Sequence, residues 1–82
     1  MQYPKIKSAQ AIDDYTLLVE FANSEKRKYD IRKLLSKEMF LPLKNPRFFK
    51  NFQIDSTGYG IVWNEDIDIS EYEILIHGNK IV

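Results

Sequence analysis

The sequence predicts an α+β fold, in which an antiparallel sheet is covered by two or three short helices. Apolar and polar side chains alternate along residues 15–21, which is the pattern of a half-buried strand. Helix-start signals occur at Asp30 and at Ser70, far apart in the chain. Because 82 residues suffice for one small hydrophobic core, we expect residues 1–82 to form a single domain.

The first third of the chain predicts a three-stranded meander. Residues 6–12 form the first strand, and residues 15–21 form the second, with Tyr15, Leu17, Val19 and Phe21 on one face. A tight turn follows at residues 22–25, where Asn23 is the residue best suited to a positive φ angle. Residues 26–29 then return as the third strand.

Two short helices are predicted in the middle of the chain. Asp30 is a good N-cap, and apolar residues follow it at helical spacing, at Ile31, Leu34 and Leu35. This first helix should extend to about residue 37 or 38, and Pro42 should stop any helix that continues. A second short helix should open at Pro46, a position where proline is tolerated, and contain Phe48 and Phe49.

The last third predicts a hairpin and a final helix, which gives the element order β-β-β-α-(α)-β-β-α. Residues 52–55 and 59–63 are the hairpin strands, joined by a turn in which Gly58 takes a positive φ. We expect this hairpin to join the meander in one sheet. Ser70 and Glu73 form a capping box, and Gly78 is expected to end the helix as its C′ residue. Residues 79–82 should add an edge strand or fray.

Composition excludes several classes of site. The chain has no cysteine, which removes disulfides, thiolate metal sites and cysteine nucleophiles, and it favours a cytoplasmic location for so small a domain. Residues 1–5 show no signal-peptide pattern, and no apolar run approaches the roughly 20 residues that span a bilayer. No nucleophile motif, phosphate-binding glycine loop or zinc signature occurs, so we predict no catalytic residue, cofactor or metal ligand.

A basic segment, residues 25–50, is the strongest functional signal in the sequence. It contains nine of the twelve basic residues, although the formal net charge of the whole chain is zero. Aromatic residues are interleaved with the charges, so this segment is suited to bind phosphates or an acidic protein. The candidate binding residues are Lys26, Arg27, Lys28, Arg32, Lys33 and Arg47. The alternative is a solvated face that the acidic last third of the chain neutralises.

A second candidate region surrounds Trp63 and Asp68. The indole can stack on a ligand ring, or it can pack in the core with its N–H bonded to a carbonyl or to Asp68. The neighbouring acids Glu65 and Asp66 can bind a hard cation, or they can be turn and helix-start residues. His77 is more simply explained by the negative end of a helix dipole than by catalysis.

The order of several local patterns gives a family resemblance that covers nearly the whole chain. The patterns are the strand ending at Phe21 with its polar turn, Arg27…Tyr29-Asp30-Ile31, Phe40…Leu43, Pro46…Phe49, Ile61…Trp63 and Asp68-Ile69. In these the chain resembles the domain-of-unknown-function family numbered 2442, a group of short bacterial proteins. It departs from the family pattern where glycines are expected, at Asn23-Ser24 and at Glu65-Asp66. The resemblance implies a protein partner, because relatives look like one half of toxin–antitoxin-like gene pairs.

Three functional hypotheses follow. The first is a non-enzymatic protein-interaction or regulatory module, monomeric or homodimeric, with a protein partner and no membrane association. The second is association with nucleic acid through residues 26–50, although the near-neutral isoelectric point argues against a dedicated binder. The third is a small-ligand binder or enzyme that uses the region of Trp63 and Asp68.

Overall fold

The computed structural model describes residues 3–81 and confirms the α+β class. Four antiparallel strands form the first sheet, in the order β1-β2-β3-β7. They are β1 (Ile6–Ala11), β2 (Thr16–Phe21), β3 (Lys26–Asp30) and β7 (Asn79–Lys80). The predicted meander is therefore present, and the tail adds the predicted edge strand beside β3. Val82, with which that prediction ended, lies outside the described residues, as do Met1 and Gln2.

The alternation of β2 builds the buried face of this sheet. Leu17, Val19 and Phe21 are fully buried, whereas Leu18 and Glu20 lie on the opposite face. Tyr15, at the end of the same row, is 36% exposed because it lies just before the strand begins.

The turn between β2 and β3 differs from the prediction in one residue. Ser24, not Asn23, has the positive φ, at 71°. Asn23 instead uses its side chain, which accepts a hydrogen bond of 3.0 Å from the Glu25 amide. Asn23 therefore makes the local hydrogen bond and Ser24 has the left-handed backbone, which is the reverse of the prediction.

A second, separate sheet corrects the expectation of a single sheet. It has three antiparallel strands in the order β4-β5-β6, which are β4 (Gln53–Ile54), β5 (Gly60–Val62) and β6 (Asp68–Ser70). The predicted hairpin is β4–β5, and Gly58 has φ 81° in its turn as expected. The hairpin does not extend the meander, because β5 pairs with β6 on its other side. The turn of the hairpin is joined to β1 by a hydrogen bond of 2.8 Å from the Ile6 amide to the Gly58 carbonyl.

The middle of the chain forms two 3₁₀ helices, one at the start of the predicted helix and one in the apolar stretch after it, where no helix was predicted. They are η1 (Ile31–Leu34) and η2 (Glu38–Lys44), and Pro42 lies inside η2 instead of stopping it. A 3₁₀ helix has three residues per turn, so Phe40 and Leu43 are buried on the same side of η2. The short α1 (Pro46–Lys50) follows, with Pro46 in its first turn as predicted.

The final helix, α2 (Glu71–His77), begins with half of the predicted capping box. The Ser70 hydroxyl accepts a hydrogen bond from the Glu73 amide at 3.1 Å. The Glu73 carboxylate accepts a hydrogen bond from the Tyr29 hydroxyl, not from the Ser70 amide. Gly78 ends the helix as predicted. Its backbone is extended, with φ −79°, because the chain passes directly into β7.

One hydrophobic core joins all of these elements. Its buried members are Ile6, Leu17, Val19, Phe21, Tyr29, Ile31, Leu34, Phe40, Leu43, Phe49, Ile61, Trp63, Ile67, Ile69 and Ile74. These residues come from both sheets and from η1, η2, α1 and α2. Within residues 3–81, no helix is both long enough and apolar enough to cross a bilayer.

Candidate functional site: an apolar cleft with a basic rim

A cleft of about 400 Å³ opens where three chain segments meet. The segments are the turn before β2, helix η1, and the passage from η2 into α1. The cleft is lined by Asp14, Tyr15, Ile31, Arg32, Leu35, Leu43, Lys44 and Pro46. Ile31 and Leu43 are buried and belong to the core, so the floor of the cleft is the outer surface of that core. A concave, mostly apolar surface with a few polar groups is the usual form of a binding site.

Arg32 and Tyr15 form one wall, and their geometry is fixed by Asp30. The Arg32 guanidinium carbon lies 3.8 Å from the centroid of the Tyr15 ring, which is close cation–π stacking. Asp30 accepts hydrogen bonds from Arg32 Nη2 at 2.7 Å and from Nε at 3.1 Å. These bonds stabilise the charged carboxylate and lower the pKa of Asp30 below its ordinary value. The wall is therefore held in place before any ligand binds.

Lys44 supplies the remaining positive charge of the rim. It is exposed at the end of η2, and none of the ion pairs found among residues 3–81 includes it. Asp14, on the opposite side, is paired with Lys50 at 2.8 Å. Of the charged residues that line the cleft, Asp14 is negative, whereas Arg32 and Lys44 are positive, and Lys44 is the one of the three that no ion pair among residues 3–81 includes.

The three candidate binding residues of β3 lie on two different faces of the sheet. Lys26 and Lys28 are exposed on the outer face. Arg27 points inward and its side chain is only 12% exposed. It donates a hydrogen bond to Glu25 at 2.8 Å and another to the Leu75 carbonyl at 3.4 Å. Arg27 therefore connects β3 to α2.

The other three candidates lie in three further environments. Arg32 is in the cleft wall. Lys33 donates a hydrogen bond of 2.6 Å to the His77 carbonyl and lies 4.7 Å from the Tyr29 ring centroid, so it caps the negative end of α2. Arg47 is exposed on α1, where its amide bonds the Asn45 side chain. The six candidates thus do not form one continuous patch.

Trp63 is buried in the core, which is one of the two alternatives that the sequence left open. Its Nε1 donates a hydrogen bond of 2.7 Å to the Phe49 carbonyl, and its ring stacks on Phe49 with centroids 6.3 Å apart. Asp68 is exposed in β6, opposite Val62. Neither Trp63 nor Asp68 lines the cleft. Among residues 3–81, no three acidic or histidine side chains lie together in a way that would hold a metal ion.

Sequence reasoning missed the residues that make the cleft concave. Lys44 was part of the basic segment but not among its six candidates, and Tyr15 was read only as a core residue of β2. The one local signal was a lysine between Leu43 and Pro46, where a charged side chain must remain at the surface of an otherwise apolar stretch. Nothing in the sequence brought Tyr15 and Lys44 together, because they are distant along the chain.

The fold defines a small α+β domain of two antiparallel sheets, and an apolar cleft opens on its surface. The chain belongs to the family described as "Protein of unknown function (DUF2442)", whose model matches residues 6–80 and confirms the resemblance seen in the sequence. No curated protein and no solved structure matches the chain.

Proposed function

We propose that the protein is a non-enzymatic interaction module that binds an acidic, partly apolar segment of a partner protein in the cleft. The observation that carries the proposal is the apolar floor of Ile31, Leu35 and Leu43 beneath the unpaired charge of Lys44. An apolar side chain of the partner would cover the floor, and an adjacent carboxylate would meet Lys44.

The residues of the wall favour a protein segment. Tyrosine and arginine are enriched at the centre of protein interfaces, since both supply large contact areas. Arg32 is already held by Asp30 and stacked on Tyr15, so little side-chain entropy is lost when a partner binds. This preorganisation supports recognition of a defined segment rather than non-specific charge attraction.

The family resemblance supplies the kind of partner. We propose that it is the other half of a toxin–antitoxin-like pair, with this chain as the neutralising or regulatory member. The lack of cysteine agrees with a complex that forms in the cytoplasm.

Nucleic-acid binding is the weaker candidate. Three of the six candidate binding residues are engaged within the protein, namely Arg27, Arg32 and Lys33. The exposed Lys26 and Lys28 lie on the outer face of the sheet, where Lys26 is paired in register with Glu20. A surface of mixed charge gives less of the counterion release that dominates binding to phosphates.

The test compares two lysine substitutions with the same charge change. Tagged wild-type protein, Lys44→Glu and Lys28→Glu are each used to recover partners from the native host, and retained proteins are quantified by mass spectrometry. We expect Lys44→Glu to lose the specific partner by about tenfold or more, because it places a like charge beside the acidic segment. Lys28→Glu should retain it. Equal retention by the two variants, or nothing above background with wild type, would contradict the proposal.

A further inference from the structure

One edge of the four-stranded sheet is open along most of β1. The register pairs Gln10 with Leu18, and the Ile12 amide donates to the Thr16 carbonyl at 3.0 Å. In an antiparallel ladder, hydrogen-bonding groups alternate between the two sides of a strand, so those of Ala9 and Ala11 point away from β2. Among residues 3–81, no hydrogen bond from outside the sheet reaches either alanine.

The start of β1 is closed, which limits the open stretch. The Ile6 amide donates to the Gly58 carbonyl, and the register shifts between Ile6 and Ser8. Such a bulge and an edge lysine, here Lys7, usually protect a sheet edge from uncontrolled pairing. The free edge is therefore short and begins after Lys7.

The side chains of this stretch allow another strand to approach. Ala9 and Ala11 lie on the inner face, where their small size leaves room beside the core. Gln10 is exposed on the outer face. A shallow depression on that face is lined by Ser8, Ala9, Gln10, Leu18, Glu20 and Lys26.

We propose that β1 pairs with β1 of a second copy of this chain, antiparallel about a two-fold axis at Gln10, to form a continuous eight-stranded sheet. In this register Ala9 lies opposite Ala11 of the second copy, and the outward amide and carbonyl groups of both alanines are used. Gln10 lies opposite its own counterpart, where the two side-chain amides can bond each other.

Charge and shape select this register among its neighbours. Lys7 and Asp13 flank the paired stretch at its two ends, so this register brings Lys7 near Asp13 of the second copy, and the two-fold axis repeats the contact. In the single chain Lys7 forms only a long ion pair with Glu20, at 3.9 Å, and its side chain is 66% exposed, so it can turn to Asp13 of the second copy at little cost. A shift of two residues in either direction places Lys7 opposite an uncharged residue, either Ala11 or Tyr15.

Ile12 adds an apolar contact in the same register. It is 41% exposed in the single chain and would lie opposite Ser8 of the second copy, beside the depression where Leu18 is half-buried. Pairing therefore covers an isoleucine that the single chain leaves in water.

The absence of native cysteine makes the register directly testable. Gln10→Cys places two thiols at a non-hydrogen-bonded pair, where Cα atoms are about 4.5 Å apart and a disulfide can form. Ser8→Cys is on the same strand and face, but in this register the two Ser8→Cys thiols are several residues apart along the paired strands. With oxidised glutathione as the oxidant, we expect Gln10→Cys to form the covalent dimer at least tenfold faster than Ser8→Cys. Equal rates, or faster cross-linking of Ser8→Cys, would overturn the register.

A second measurement tests the dimer without new cysteines. Sedimentation equilibrium of the full chain should show a monomer–dimer equilibrium, and Lys7→Glu should weaken it by about tenfold, since two attractive pairs become repulsive. Lys37→Glu, an equal charge change at a distant exposed residue, should leave it unchanged. A wild-type protein that is still monomeric at millimolar concentration would overturn the proposal. In that case the open edge of β1 would be available to a strand of a different protein.

The dimer and the proposed partner site fail independently. Lys44→Glu should leave the sedimentation behaviour unchanged, and Lys7→Glu should leave recovery of the partner unchanged.

Discussion

Tyr29 shows how one polar group can be kept inside a core this small. Its side chain is fully buried, yet the hydroxyl reaches the Glu73 carboxylate at 2.7 Å. A buried hydroxyl without a partner would be costly, so Glu73 satisfies it and also ties β3 to α2. This contact takes the place of the second bond of the capping box, which explains why that half of the prediction failed.

The environment of Tyr29 predicts a loss of stability in alkali. Burial raises the pKa of Tyr29 well above its ordinary value, and the hydrogen bond to Glu73 raises it further. The unfolded chain loses this proton near pH 10, so above that pH it binds fewer protons than the folded chain and the free energy of unfolding falls. Urea unfolding between pH 8 and pH 11 should show the decline in wild type and a shallower decline in Tyr29→Phe.

Tyr72→Phe is the control for this experiment, because Tyr72 is 46% exposed. It should follow wild type at every pH. If Tyr29→Phe declines as steeply as wild type, ionisation of Tyr29 does not cause the loss. At pH 8 Tyr29→Phe should be destabilised by about 1 kcal/mol, because it lacks the hydrogen bond to Glu73.

Single residues were the most predictable level of the structure, where their chemistry is local. Gly58 has its positive φ, Ser70 caps α2 and Pro46 opens α1, because each depends on its immediate neighbours. Asn23 and Ser24 exchanged roles because both residue types suit a turn. The sequence left Trp63 open between core and ligand site, since its hydrogen bond to the Phe49 carbonyl joins distant parts of the chain.

At the scale of elements, the junction of α2 and β7 depends on close packing at Gly78. A Cβ atom there would lie 2.4 Å from the Ile74 carbonyl oxygen and 3.1 Å from Arg27 Cβ. The backbone angle itself, φ −79°, is open to any residue. Glycine is required at this junction for space, not for conformation.

Gly78→Ala should therefore destabilise the protein by about 1–3 kcal/mol, the cost of forcing backbone apart in a packed region. Chemical denaturation followed by circular dichroism gives the free energy of unfolding. Asn79→Ala, at the next and exposed position, should change it by less than about 0.5 kcal/mol. Equal effects at the two positions would show that the junction tolerates a side chain.

The elements that sequence reasoning missed were short and defined by tertiary contacts. The sequence predicts no strand at β6, because the acids around it are typical of a turn and a helix start, although Ile67 and Ile69 on either side of Asp68 are buried. Helices η1 and η2 have the apolar residues of an α-helix, and only packing fixes their three-residue turns. The cleft lies between such elements, so its residues could be found only once these were in place.

At the scale of the whole molecule, the two sheets share one core. Trp63 stacks on Phe49 and meets Phe52 edge to face. Ile61 and Ile69 of the second sheet join the same cluster as Leu17 and Val19. The sequence predicted one sheet, because hydrophobic alternation marks strands without telling which strands pair.

A shared core predicts a single cooperative unfolding transition. Fluorescence of Trp63, the one tryptophan of the chain, reports on the second sheet and α1, while far-ultraviolet circular dichroism reports on all elements. In urea the two signals should give the same midpoint, with a slope of about 1 kcal/mol per molar. A fluorescence transition at clearly lower urea would show that the second sheet unfolds by itself.

The pairing of β3 with β7 has a consequence for the growing polypeptide during translation. Most of the second half of the chain must emerge from the ribosome after β3 before Asn79 and Lys80 can pair with it. Until then the nascent meander exposes a strand edge, which can recruit neighbouring chains. Lys26 and Lys28 lie exposed on that strand, and lysines at a strand edge are a common protection against pairing with other chains.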